Sequence, residues 1–126
     1  MNFDNKVVMI TGAAGNLGQA VAAAFAAAGA PLALVNLRTA VLHQAYPQAG
    51  VDHLMVAADL MKADSTAAAV DAIIDRFGHL DTACNIAGGF RMGPAVHETP
   101  AELWRLMLDL NAGTLLNVVH AAVPRM

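Results

Sequence analysis

Residues 7–18 read VVMITGAAGNLG, and this stretch decides the fold. Its first four residues are apolar and three of them are β-branched, which predicts a short buried strand. An alanine-rich sequence follows and predicts a helix. Glycine at positions 12, 15 and 18 leaves the backbone without Cβ atoms where the strand must turn sharply into that helix. The stretch therefore predicts a strand, a tight turn and a helix in immediate succession.

The predicted turn has the properties of an anion site. The first N–H groups of a helix have no partner within the helix, and the positive end of the helix dipole lies beside them. A pyrophosphate would fit against such a turn. An ordinary glycine-rich turn without a ligand explains the same residues, so the glycines alone leave both interpretations open.

The composition of the chain favours one domain with unusually much apolar surface. The 126 residues suit a single domain, and 57% of them are hydrophobic. Only 13% are charged, against about 25% in an average domain, which predicts apolar faces that need a partner or further chain. The formal net charge is −3 without a basic cluster, which argues against nucleic acid as a ligand.

Several sequence features favour a soluble cytoplasmic protein. The single cysteine, Cys84, cannot form an internal disulfide and fits a reducing compartment. The first six residues lack the basic-then-apolar order of a signal peptide. The apolar run over residues 20–34 is interrupted by Gly29 and Pro31, so we expect no membrane span.

Periodicity predicts the next elements. Leu17, Val21 and Phe25 recur every four residues, which predicts the apolar stripe of a helix over residues 16–28. Gly29 is a natural terminator for that helix. A second buried strand is predicted at residues 32–36, a third strand at residues 53–58 and a fourth, shorter one at residues 80–85, with a short helix over residues 38–46.

Two further helices complete the pattern. Asp64 or Ser65 is expected to cap the first of them, and Gly78 to end it. Its core positions follow the i, i+3, i+4, i+7 pattern and are Val70, Ile73, Ile74 and Phe77. The second helix is expected to begin with a capping box at residues 99–102 and to continue, very apolar, to Pro124.

The alternation of strands and helices predicts an α/β fold with a parallel sheet of about four strands and helices on both faces. Right-handed crossovers favour the strand order 3-2-1-4. The sequence contains no internal repeat, low-complexity tract or linker, so residues 1–126 are predicted to form one unit.

Four motifs lie at defined positions in this predicted order of strands and helices. They are the glycine turn at residues 11–18, Asp59-Leu60 after the third strand, residues 85–88 (NIAG) after the fourth, and the last helix with Asn111. In order and spacing, along essentially the whole chain, they resemble the short-chain dehydrogenase/reductase family. The resemblance implies a partial Rossmann fold, NAD or NADP as cofactor, and hydride transfer between nicotinamide and a small carbonyl or alcohol substrate.

The resemblance also implies roles for single residues. Asp59 would hydrogen-bond the adenine amino group, and Asn85 would line the ribose and tie neighbouring strands together. Asn111 would be the catalytic residue of this chain, through a backbone distortion that helps to hold a water of the proton relay. The alternatives are that Asp59 is only a solvated residue at the end of a strand and that Asn111 is only a hydrogen-bonded polar residue of the core. The implied cofactor-binding residues are Gly12, Ala14, Gly15, Asn16, Leu17, Gly18, Asn36, Arg38, Asp59, Leu60, Asn85, Ala87 and Gly88.

The cofactor motifs depart from the family pattern in two places. Most family members place the middle glycine one position later, where this chain has Asn16. Because asparagine has fair access to left-handed backbone, we expect the turn to survive. At the end of the second strand an acid would favour NAD. Here Asn36 is uncharged and Arg38 follows, which tilts the prediction slightly towards NADP.

The third departure concerns catalysis. The family uses a Ser, and a Tyr followed four positions later by a Lys, after a fifth strand that these 126 residues do not contain. The one tyrosine, Tyr46, is followed four positions later by Gly50. We therefore expect this chain to be the cofactor-binding half of an oxidoreductase, inactive alone. The alternative is a non-catalytic dinucleotide-binding or interaction module.

Three further expectations concern assembly, substrate contacts and metal binding. The apolar last helix and the bare edge of the fourth strand predict a homo-oligomer. Phe90 and Arg91 are candidate substrate contacts in the loop after the fourth strand. The five histidines show no metal-ligand spacing, so we expect no metal site.

Overall fold

The computed structural model describes all 126 residues. Short 3₁₀ turns span Val96–Glu98 and Val123–Arg125, and a π-turn spans Asp109–Gly113. The strands and α-helices, in chain order, are β1 (Val8–Thr11), α1 (Asn16–Ala27), β2 (Leu32–Asn36), α2 (Thr39–Ala45), β3 (His53–Ala57), α3 (Ala63–Phe77), β4 (Thr82–Cys84), α4 (Ala101–Leu108) and α5 (Thr114–Ala122).

The four strands form one parallel sheet in the order β3-β2-β1-β4, which confirms the predicted topology. Val8 of β1 pairs with Leu32 on one side and with Thr82 on the other. β1 is central and buried along its whole length, as its apolar sequence requires.

Helices cover both faces of the sheet, as predicted. Successive residues of a strand point to opposite faces. Met9 therefore lies in a core cluster with Ile73 of α3 and Val118 of α5. Ile10 lies in a second cluster with Ala22 of α1 and Leu42 of α2. The two clusters place α1 and α2 on one face of the sheet and α3 and α5 on the other.

The expected apolar stripe of α1 is partly wrong. Leu17 is 64% exposed, and Val21 and Phe25 are only partly buried. The buried residues are Gly18 and Ala22, one helical turn apart. Because both are small, α1 lies closer to the sheet than larger side chains would allow, and the longer side chains flank the contact.

Both expected helix caps are wrong. α3 begins at Ala63, so Asp64 and Ser65 lie inside its first turn, and the Ser65 hydroxyl instead accepts the Asp59 N–H at 2.9 Å. α4 begins at Ala101, with Pro100 in the capping position and no side-chain cap. In both cases the helix begins at a position different from the one that the capping pattern implies.

The last helical region is not one regular helix, because the π-turn at Asp109–Gly113 separates α4 from α5. The continuous helical stretch Ala101–Arg125 has 25 residues and is long and apolar enough to cross a membrane, by length and composition alone. Every fourth residue of α5, Thr114, Val118 and Ala122, is buried in the fold. The exposed apolar residues of this region are Trp104, Leu108, Leu115, Leu116, Val119 and Val123.

Candidate functional site

The residues singled out in the sequence converge on one edge of the sheet. Because all four strands are parallel, their carboxyl ends lie on the same side. Gly12 follows β1, Asn36 ends β2, Asp59 follows β3 and Asn85 follows β4. In an open α/β sheet a ligand binds outside this edge.

Two of the three glycines are required by the fold itself. Gly12 has a φ of +63°, and a Cβ atom there would lie 3.0 Å from the backbone N of Ala87. A Cβ atom on Gly18 would overlap the Gly12 carbonyl oxygen and lie 2.8 Å from the Ala13 Cα. Both positions therefore exclude side chains, because backbone already occupies the space.

Gly15 and Asn16 differ from what the sequence predicts. Gly15 has φ −75° and ψ 166°, and a Cβ atom there would meet only the Gly12 carbonyl oxygen at 3.4 Å. The protein alone thus allows a side chain at Gly15. Asn16 is the first residue of α1, and Asn5 is the one non-glycine residue with a positive φ. The turn consequently makes no use of the left-handed tendency of Asn16.

The start of α1 carries several N–H groups that have no acceptor within the chain. The N–H groups of Asn16, Leu17 and Gly18 have no acceptor in the chain, and α1 has no side-chain cap. The Ala14 N–H is also without an acceptor. These four donors lie at the positive end of the α1 dipole, which makes the turn suited to an anion.

Thr11 ties β1 to the loop after β4. Its hydroxyl accepts the N–H groups of Ile86 at 3.0 Å and Ala87 at 3.1 Å, and donates to the Cys84 carbonyl oxygen at 3.3 Å. This is the connection between strands that was expected of Asn85, whose side chain is exposed and has no hydrogen bond within the chain. Thr11 is recognisable in the sequence only as a polar residue that follows a fully apolar strand.

A cleft of about 250 Å³ opens beside Gly12. Asp59 is its one ionisable lining residue, so the walls offer no proton-transfer group apart from that carboxylate. The cleft is lined by Gly12, Asn36, Leu37, Ala58, Asp59, Leu60, Met61, Ala87, Gly88, Leu110 and Thr114.

The Asp59 carboxylate is partly engaged with its own loop. One oxygen accepts the Met61 N–H at 3.1 Å, and the other lies 3.7 Å from the Lys62 ammonium group. Its side chain is 36% exposed, so the carboxylate keeps accepting capacity on the side of the cleft. Leu60, by contrast, is 7% exposed and belongs mainly to the core.

Some of the expected cofactor residues lie outside the cleft. Arg38 precedes α2, is exposed and does not line the cleft. Ala14 lines a separate shallow depression against α2. Asn16 and Leu17 are exposed at the start of α1. The structure thus forms two adjoining surfaces, the open turn with its N–H groups and the walled cleft beside it.

Asn111 joins the last helix to the loop after β4. Its Oδ1 accepts the Gly89 N–H at 3.0 Å, and its Nδ2 donates to the carbonyl oxygens of Gly89 and Met107, each at 2.9 Å. Asn111 lies within the π-turn, so the backbone distortion that the resemblance implies is present. Its part in a proton relay stays a prediction.

A smaller cavity of about 60 Å³ adjoins the cleft, with Asn85 and Asn111 among its lining residues. Cys84 lies nearby on β4, and burial raises the pKa of its thiol. The thiol is therefore protonated at neutral pH and is a poor nucleophile. Phe90 and Arg91 are exposed in the loop beyond, and neither lines the cleft or the smaller cavity.

The sheet order, the glycine turn and the cleft at the carboxyl edge define a Rossmann-like α/β domain. The sequence profile of the short chain dehydrogenase family matches residues 6–126. The chain belongs to this family.

Individual relatives agree with that assignment. The chain is 38% identical over 118 residues to a D-threitol dehydrogenase of Mycolicibacterium smegmatis, covering 90% of this chain and 45% of the relative. It is 35% identical over 119 residues to a sulfoacetaldehyde reductase of Chromohalobacter salexigens, covering 93% and 47%. The chain thus spans about half the length of the curated relatives that it matches.

Solved structures agree with the fold as well. A short-chain dehydrogenase/reductase from Brucella melitensis superposes with a TM-score of 0.92 at 27% identity, covering 100% of this chain and 54% of the other. A 3-ketoacyl-(acyl-carrier-protein) reductase from the same organism, complexed with NADH, has a TM-score of 0.88 at 27% identity, covering 98% and 51%.

Proposed function

We propose that this chain binds NAD or NADP and forms the cofactor-binding part of an oxidoreductase. The reaction of the whole protein would be hydride transfer between nicotinamide and a small carbonyl or alcohol substrate. One observation carries the proposal: the free N–H groups that begin α1 adjoin a cleft lined by Asn36 and Asp59, at one edge of the sheet. The first surface suits a pyrophosphate and the second an adenosine.

Each surface has a separate task. The N–H groups of Asn16 and Leu17 would hold the pyrophosphate, while Asp59 would accept a hydrogen bond from the adenine amino group. Asn85, Ala87 and the smaller cavity would adjoin the ribose of the nicotinamide half. The bound nicotinamide would supply the hydride donor or acceptor.

Asn111 would act in the proton relay, while the proton donor would lie elsewhere. Tyr46 is engaged with the Ala13 carbonyl oxygen at 2.6 Å, and no lysine lies four positions after it. We place the Ser, the Tyr and the Lys of the reaction in sequence beyond residue 126. The isolated chain is then expected to show no turnover.

The choice of cofactor follows from the end of β2. Asn36 lines the cleft without charge and therefore accepts either NAD or NADP. Arg38 is exposed beside it and is able to approach a 2′-phosphate, which supports a slight preference for NADP.

A fluorescence titration with NADH and NADPH tests the proposal directly. We expect saturable binding of at least one of them, with NADPH bound equally or slightly more tightly. Absence of both signals from folded protein would overturn the proposal. A cofactor-dependent turnover by the pure 126-residue chain would contradict the placement of the acid outside it.

A second candidate is a non-catalytic dinucleotide-binding or interaction module, favoured by the exposed apolar residues of α4 and α5 such as Trp104 and Leu116. Reading the coding DNA past Met126 separates the two. An in-frame Tyr-x-x-x-Lys supports the oxidoreductase, and an immediate stop codon supports the module. Light scattering tests the proposed homo-oligomer, and a stable monomer would count against it.

A further inference from the structure

The carbonyl groups of the glycine turn are all engaged inside the protein. The Gly12 oxygen accepts the Gly15 N–H at 3.1 Å, and the Gly15 oxygen accepts the Gln19 N–H at 2.9 Å. The Ala14 oxygen accepts the Gln19 side-chain amide at 2.8 Å, and the Ala13 oxygen accepts the Tyr46 hydroxyl at 2.6 Å. The turn thus offers free N–H groups but no free oxygen.

This division between donors and acceptors determines what the turn can bind. A peptide carbonyl and the N–H that follows it lie in one rigid plane and point in opposite directions. A hydrogen bond that holds the Ala13 oxygen therefore also holds the direction of the Ala14 N–H. A free Ala13 oxygen near a phosphate would repel it, because both groups carry negative charge on oxygen.

The Tyr46 contact is the one of the four whose donor lies outside the turn and α1. Tyr46 follows α2, and its hydroxyl reaches Ala13 across 33 positions of sequence. Its ring packs against the core cluster that contains Leu42, so the ring has a packing role that the hydroxyl does not share. Burial raises the pKa of this hydroxyl, which keeps it protonated and able to donate at neutral pH.

We propose that Tyr46 is a positioning residue for the pyrophosphate, because its hydroxyl holds the Ala13 carbonyl oxygen and so keeps the turn selective for an anion. The inference rests on the proposed function. It gives the one tyrosine of the chain a binding task in place of the acid–base task that the family's tyrosine performs. It also couples the turn to α2, which follows the Asn36 end of the cleft.

Ligands with and without phosphate separate this task from plain stabilisation. Dissociation constants for NADH, ADP and adenosine should be measured with the protein that carries this chain and with its Tyr46→Phe variant, which keeps the ring. We expect NADH and ADP to bind about three- to tenfold more weakly to the variant, and adenosine to bind equally well. His43→Ala is the matched control, since His43 is exposed on α2, three residues before Tyr46, and its side chain makes no hydrogen bond. This control should change none of the three dissociation constants.

The outcomes distinguish this inference from the proposed function. Equal ADP binding by wild type and Tyr46→Phe would overturn the inference alone, as would an equal loss for ADP and adenosine. Wild-type protein that binds neither NADH nor ADP would overturn the proposed function and the inference with it. If Tyr46→Phe does not fold, Gln19→Met tests the same principle at the Ala14 oxygen. A phosphate-selective loss there supports the inference, and an equal loss with adenosine overturns it.

Discussion

Asn111 and Gly89 are joined by two hydrogen bonds, one in each direction. The Asn111 Oδ1 accepts the Gly89 N–H at 3.0 Å, and its Nδ2 donates to the Gly89 carbonyl oxygen at 2.9 Å. A third bond from Nδ2 to Met107 fixes the side chain on its own helix. The loop after β4 is thereby held against the π-turn, where the cleft and the smaller cavity meet.

Asn111→Ala should release this loop. The variant leaves both backbone groups of Gly89 without their protein partner. Because these groups are exposed and water can replace that partner, we expect a loss of only about 0.5–1.5 kcal/mol in the free energy of unfolding. Faster hydrogen exchange at the Gly89 amide should accompany the loss. The matched control is Asn85→Ala, because the Asn85 side chain makes no hydrogen bond within the chain. Equal effects of the two variants would contradict the assigned role.

The glycines of the turn should respond differently to alanine. Gly18→Ala places a methyl group against the Gly12 carbonyl oxygen, and we expect it to destabilise the fold by about 1–3 kcal/mol in urea unfolding. Gly15→Ala meets only ordinary contacts and should leave the free energy of unfolding near that of wild type. It should still weaken NADH binding, since a Cβ atom would stand where a phosphate approaches. Unchanged NADH affinity in Gly15→Ala would favour a turn without a ligand.

Asn36→Asp should shift the cofactor preference towards NADH. The new carboxylate at the end of β2 would accept the ribose 2′-hydroxyl and repel a 2′-phosphate. We expect the ratio of NADPH to NADH dissociation constants to rise about tenfold or more in fluorescence titrations. Asn85→Asp adds the same charge at the end of β4 and should weaken the binding of NADH and NADPH to the same extent. If Asn36→Asp leaves the ratio of the NADPH and NADH dissociation constants unchanged, Asn36 does not contact the adenosine ribose.

Asp81 should make the stability dependent on acid pH. Burial alone would raise the pKa of this carboxyl. The Val7 N–H, the Lys6 ammonium group and His79 together lower it by more, so the net pKa is below its ordinary value. The contribution of Asp81 to the free energy of unfolding is therefore complete above the ordinary carboxyl pKa of about 4. It is lost as the pH falls through the lower pKa that Asp81 has in the folded protein.

The variant Asp81→Asn tests this dependence. At pH 7 it should be less stable than wild type by about 1 kcal/mol, since solvent screens the partly exposed ion pairs, and the difference should shrink as the pH falls below about 4. Asp75→Asn is the control, because Asp75 is exposed and has no ion pair or hydrogen bond. A stability difference that is constant from pH 7 to pH 3 would contradict the assignment.

The sheet could be predicted from the sequence because its signals are local and strong. Residues 32–36 form β2 with the predicted bounds, and Gly29 and Gly78 adopt the positive φ that ends a helix. Resemblance of motifs, rather than periodicity, identified Asp59, Asn111 and residues 85–88 as candidates.

What the sequence could not predict depends on contacts across the fold. The burial of Gly18 and Ala22 in place of Leu17 follows from the close approach of α1 to Gly12, which no periodicity shows. The hydrogen bonds of Thr11 and Tyr46 connect residues that are distant in sequence. The π-turn at Asp109–Gly113 interrupts a run of apolar residues whose spacing predicts one regular helix.

The Thr11 hydrogen bonds have a consequence for the order of folding. Thr11 and Cys84 are 73 positions apart, and β4 can join β1 only after the intervening strands and helices have been synthesised. Closing so long a loop is entropically costly and tends to come late in folding. The glycine turn is synthesised well before Ala87, whose backbone forms the second wall beside Gly12. A dinucleotide is therefore expected to bind and stabilise the completed sheet. It should bind only weakly to nascent chains in which β4 has not yet joined β1.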